Sequence, residues 1–261
     1  MTIPADSTTK FTLSTRRSNT TRAGARSNAP LAGSGGREWA VDIAAIRVSI
    51  ELAKRHERET GHLRQRLTQQ LPQLHTAIVL PRRQPAAALV AFAIAYIERV
   101  PDCLEAAATI ATEAAIEEQV LPLLQLALYY FLKPPEVAAG RAGLDELLYE
   151  AYLAHRLLEE ANDRYLARVG VPLIPLDATV ANLICHHLIG EPFANELDEA
   201  VEFSIDQLLG REKPNRSRAF RDYVEAHRDD HWEHERRRWP CLTAPLAIDL
   251  YLAGYSRPAA S

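Results

Sequence analysis

The chain has little that cross-links, spans or nucleates a sheet. Its 261 residues include three cysteines, Cys103, Cys185 and Cys241, far apart and without a Cys-x-x-Cys pair. That excludes a disulfide framework and a thiolate zinc site, and each cysteine reads as a small core residue. No apolar run reaches the roughly 18 residues that a bilayer crossing needs. The best candidate, Ala86 to Ile97, stops at Glu98-Arg99 and reads as a buried helix. The first residues carry no apolar stretch of the secretory kind, and none follows Arg16-Arg17, so the cytoplasm is the expected compartment. Glycine is scarce, 11 in all. No segment alternates apolar and polar residues around hairpin turn chemistry, which leaves little or no sheet. Gly-x-Gly-x-x-Gly, Walker, Gly-x-Ser-x-Gly and His-Glu-x-x-His signatures are absent, removing the common nucleotide-binding and hydrolase readings.

What is present is helical periodicity under an uneven charge. The formal net charge is -4. Residues 1–37 hold Lys10, Arg16, Arg17, Arg22, Arg26 and Arg37 against Asp6 alone, so a basic segment precedes an acidic body. Residues 1–36, rich in Ser and Thr and closing on Gly33-Ser34-Gly35-Gly36, bury too little to fold alone and are expected to be a disordered tail. An acidic body is a poor nucleic-acid surface; the tail is the one place for a weak contact of that kind.

From residue 37 to 256 the pattern predicts an all-α domain, one compact bundle of about eight helices, followed by a flexible C-terminus at 257–261. The first helix runs from Trp39 to about Leu71, with Gly61 as a bend or break. The second spans Ala86 to Val100 and ends at Pro101. A third, capped by Asp102 with Glu105, runs to Phe131 with Pro122 as a kink or break. Leu144 to Val169 follows, closed by Gly170. Asp177 and Asn195 cap two more, ended by Gly190 and Gly210. Another extends from Ser217 or Asn215 to Arg238, and a short one covers Pro245 to Ala253. No repeat at a fixed period points to a solenoid.

Two clusters could carry chemistry. In the helix ending at Arg238, Phe220, Val224, His227, His231 and His234 share one face. Imidazoles at i, i+4 can chelate a divalent metal, with Asp230 close enough to add oxygen. The structural alternative makes them the polar continuation of a core stripe, with Arg236-Arg237-Arg238 matching the helix dipole. The second cluster joins two helices, Glu150, His155, Glu159 and Asp163 on one and Asn182, His186, His187 and Glu191 on the other. His155, Glu159 and Asp163 repeat every four residues as a polar stripe. His187 falls with Val180 and Ile184 on the apolar face, where Glu150 is a candidate partner, whereas Asn182 and His186 share another face.

The leading expectation is therefore a non-enzymatic, cytoplasmic helical protein that binds a partner, most simply another protein, in a regulatory role. A metal-dependent bundle enzyme, an oxygenase or hydrolase, is the alternative. It would hold a divalent transition metal with His227, His231, His234, His186, Glu150 and Glu159. A second alternative makes the tail, whose Arg and Ser/Thr content is shared with transit and secretion leaders, the export signal of a delivered effector.

Overall fold

The computed structural model describes residues 34–132, 143–170, 172–174, 176–209, 218–226, 239 and 241–251. Among them are eight helices: α1 (Ser34–Thr60), α2 (His62–Gln70), α3 (Pro85–Glu113), α4 (Glu117–Leu132), α5 (Leu144–Val169), α6 (Thr179–Ile189), α7 (Phe193–Leu209) and α8 (Arg218–Ala226). The expected all-α bundle is thus what the described residues form. None of these helices is long and apolar enough to cross a membrane. The proposed tail and the chain's last residues lie outside the described residues, apart from the first residues of α1.

Gly61 separates α1 from α2. At φ 63 it occupies the left-handed region that favours glycine. Without a side chain it cannot cap α2, and Glu57 does so from the last turn of α1, its carboxylate accepting from the amides of Leu63 (2.8 Å) and Arg64 (3.0 Å). Ile43, Ile46, Ile50 and Ala53 form the buried stripe of α1, spaced by three and four.

The helix expected to stop at Pro101 continues. A proline within a helix removes one amide donor, the one that would bond Ile97, and here Ile97, Val100, Pro101, Cys103 and Leu104 are all buried, so packing on both sides holds the turn together. Asp102 and Glu105 accordingly cap nothing and instead pair with Arg47 of α1. The true break comes at Ala114–Ile116, ahead of the Pro122 position suggested by sequence. Ala115 takes φ 54, its amide bonds the Thr112 carbonyl, and the Ile116 amide reaches back to Ala111 at 2.8 Å. This is a Schellman-type ending built on alanine rather than glycine.

α5 runs through the middle, packed by α1, α3, α4, α6 and α7. From Leu144 to Ala161 its apolar residues are buried at every angle around the axis, among them Leu148, Tyr149, Ala151, Tyr152, Leu153, Ala154 and Leu157. Polar residues on this helix are forced inside.

The predicted helix over Pro245 to Ala253 does not form in its described part. Ala247 turns left-handed at φ 52 after a single 3-10 turn, Ala244–Leu246. The chain then extends as β2 (Asp249–Leu250), antiparallel to β1 (Ile78–Val79), with Ile78 opposite Leu250 and Val79 opposite Asp249. The Tyr251 amide adds a 2.7 Å bond to Ala77. This two-stranded clasp ties the late segment to the α2–α3 connection and sets Trp239 and residues 241–243 against α3, α5 and α6.

Candidate functional site

The chemistry of the described residues is concentrated on α5. Four of its polar residues are almost fully buried: Asp145, Glu150, His155 and Asn162. A buried polar group is normally satisfied by hydrogen bonds, and two of the four are. Asp145 pairs with Arg66 (2.6 Å) and His62 (2.8 Å) of α2. Asn162 closes a ring of two bonds with the backbone of Ile174, donating to its carbonyl and accepting from its amide. The other two keep an atom without a partner among the described residues, Oε2 of Glu150 and Nδ1 of His155. Each belongs to a residue that lines a cavity.

His155 is 2 % exposed and packs on Tyr96, the ring centroids 4.3 Å apart. Its Nε2 lies 2.9 Å from the Tyr96 carbonyl oxygen, which can only accept, so Nε2 carries the hydrogen. Burial, reinforced by the nearby Arg99 charge and opposed by the Tyr96 bond, pushes the imidazole down to about 4. At neutral pH the ring is therefore uncharged and Nδ1 presents a bare lone pair. His155 lines a cavity of about 280 Å³, walled also by Tyr96 and Arg99 of α3, by Ala178, Val180 and Ala181 at the start of α6, and by Trp239 and Leu242 from the late segment. The Arg99 guanidinium lies over the Trp239 ring, 5.4 Å from its centroid.

Behind His155 a polar chain links α3, α5, α6 and α7. The Tyr96 hydroxyl donates to Asn182 (2.6 Å), and Asn182 donates to Glu159 (2.6 Å). Glu159 also accepts from Thr179 and from Arg156, and Arg156 reaches Asp198 at 2.9 Å. Asp198 accepts from Tyr152 at 2.8 Å and lies 3.6 Å from His186, whose Nε2 is 3.0 Å from the Asn195 side chain. Burial opposes the Arg156 charge, yet hydrogen bonds to Asp198 and Glu159 hold its guanidinium above the ordinary value. These donors and acceptors use one another up. The chain of bonds fixes α6 and α7 against α5 and thereby fixes the cavity wall.

The residues singled out by sequence are dispersed accordingly. Glu159 and His186 enter one network, but as partners of Arg156, Asn182, Asp198 and Asn195. Glu150 and Glu159 are nine residues apart on one helix, about 13 Å along the axis and on opposite sides of it, so they cannot share an ion. Among the described residues no group of three or more His, Cys, Asp or Glu could hold a metal. His227, His231 and His234 lie outside the described residues. His187 corrects an expectation: it is exposed and stacks on His75 at 5.4 Å, whereas Asn182 takes the buried face. The reason is that α6 turns Asn182 toward Tyr96 and Glu159, which satisfy both ends of its amide. Asn195 stands in the first turn of α7 rather than before it, so its side chain serves His186 instead of a cap. Tyr96, Arg99, Tyr152, Arg156 and Asp198 carried no sequence signal as site residues, because each acquires its role from a different helix.

No protein-family model, no curated protein and no solved structure matches the chain.

Proposed function

We propose that this chain acts by binding rather than by catalysis, and that the cavity beside His155 receives a compact, mostly apolar group carrying a hydrogen-bond donor. The observation that carries the reading is the unpartnered Nδ1 of a buried, uncharged imidazole whose residue lines a cavity. An orphaned acceptor in such a place is costly, on the order of 1–3 kcal/mol, and a ligand N–H or O–H offsets that cost. The same imidazole is a weak proton acceptor for reactions near neutral pH, where an efficient general base titrates close to the working pH. That favours recognition over turnover, in keeping with a regulatory protein that engages a partner.

Indole tests the reading, since it is flat, apolar and bears one N–H. Binding to the full-length protein is followed by the ¹⁵N shift of the His155 ring, with 1-methylindole as the comparator that lacks the donor. Indole is expected to bind at least about tenfold more tightly than 1-methylindole, the worth of one buried hydrogen bond, and His155→Phe to abolish the difference. Equal affinities, or turnover of a small substrate that is lost on substituting His155, would overturn it.

A further inference from the structure

The second unsatisfied group on α5 belongs to a residue that lines a different cavity. Glu146 and Glu150 stand one turn apart on α5 and face His56 and Leu52 of α1, with Phe131 of α4 closing one end. The cleft has a volume of about 390 Å³, within the range of small-molecule sites, and shares no lining residue with the cavity beside His155. Gly143 shapes its rim. A Cβ there would lie 2.9 Å from His56 Cδ2, and φ +80 favours glycine, so the absent side chain is what lets the imidazole lie against the start of α5.

Glu150 is 2 % exposed, and its Oε2 has no hydrogen-bond partner among the described residues. Burial, and then the charge of Glu146, push its carboxyl up to about 9, so it is protonated at neutral pH. Burial also raises Glu146. The Glu146 charge adds to burial in opposing ionisation of Glu150, and a cation beside the two would relieve both. The rest of the wall is supplied largely by Leu52, Ala53, Phe131 and Leu147. A divalent metal would need several converging donors, and the described residues offer no such group here. An organic cation needs only a counter-charge, an acceptor and an apolar surface for its tail, which Leu52 and Phe131 supply.

We propose that the cleft between α1, α4 and α5 is a binding site for an organic ammonium ion with an apolar tail, the ammonium seated between Glu146 and Glu150 and the tail against Leu52 and Phe131. Oε2 of Glu150 accepts from the ammonium N–H, and the Glu150 proton leaves to the buffer as the ligand enters. Affinity then rises with pH, by as much as about tenfold per unit while Glu150 remains protonated in the free protein. The titratable groups facing Glu150 are Glu146 on α5 and His56 on α1, and α4 presents only Phe131. The contribution of Glu150 is taken as the difference from a Glu150→Gln variant.

The test is calorimetric titration of the full-length protein with hexylammonium chloride, using 1-hexanol as the uncharged comparator, in two buffers of different ionisation enthalpy. Saturable one-to-one binding is expected, with proton release and at least a roughly fivefold gain in affinity between about pH 6.5 and 8.5. Hexanol should bind at least about tenfold more weakly. Glu150→Gln should lose the proton release and most of the pH dependence. If that variant fails to fold, Glu146→Gln supplies the second reading and should lower hexylammonium affinity several-fold without changing that of hexanol. Equal affinity for hexanol, pH-independent affinity in the wild-type protein, or no saturation by about 10 mM ligand overturns the proposal.

Discussion

Replacing Glu150 by Gln removes a buried ionisable group while keeping its size, and the consequence is a change in how stability depends on pH. In the folded chain burial, then the Glu146 charge, raise the Glu150 carboxyl from 4.5 to about 9. Between those values the folded chain holds a proton that the unfolded chain has released. Stability contributed by this group therefore falls as pH rises, at up to about 1.4 kcal/mol per unit. His155 acts with the opposite sign. Burial lowers it from 6.5 to about 4, so in that interval the unfolded chain holds the extra proton. Its contribution is complete above 6.5 and is lost as pH falls toward 4, about 3 kcal/mol at most. The two slopes oppose each other between 4.5 and 6.5, and of this pair Glu150 alone acts above 6.5. The assay is urea unfolding of wild type and Glu150→Gln across the pH range, followed by helical circular dichroism. The variant should gain on wild type from about pH 6.5 to 8.5, by up to roughly 3 kcal/mol in total. A difference that stays constant with pH would refute the raised carboxyl and the argument built on it.

Two further substitutions test how the helices are held and ended. Arg156→Met strands Glu159 and Asp198 as neighbouring, mostly buried acids, and should cost about 3 kcal/mol in urea unfolding, partly recovered when Asp198→Asn is added. Ala115→Gly relieves the left-handed φ 54 at the end of α3 and should raise stability by up to about 1 kcal/mol, visible as a higher Tm.

Helix ends were legible where stop signals agree with the apolar spacing, as at Gly61, Gly170 and Gly190, each of which ends a helix at positive φ; the expected caps Asp102, Asp177 and Asn195 do not occupy the N-cap position of those helices. The errors share a cause. Pro101 looks like a terminator because proline usually is one, but its local cost is outweighed by burial of the residues around it, which no local pattern reveals. The break at Ala115 was invisible for the converse reason: an alanine holds the conformation for which glycine is the usual signal. β2 escaped notice because two residues are too few to show alternation, and their pairing partner lies far back in the chain at Ile78–Val79.

The site was harder to read because amphipathic reasoning assigns a helix one wet face, and α5 has none until it passes Ala161. His155, Glu159 and Asp163 look like a solvated stripe by spacing, yet His155 is buried, Glu159 is largely enclosed and only Asp163 is exposed. The clue was available in composition: between Leu144 and Ala161 apolar residues occur at every angle around the helix axis, so a polar residue among them is at least partly enclosed. Its partner, however, is fixed by whichever helix packs there. Asp145 finds Arg66, Asn162 finds Ile174 and Glu159 finds Asn182, and those three read as structural. Glu150 and His155 keep unpartnered atoms, and each lines a cavity beside α5. One retains a proton at neutral pH and the other gives its proton up, so the first is suited to a cation that displaces the proton and the second to a donor that needs none. Opposite titration on a single helix is thus the physical basis for expecting two ligands of different charge.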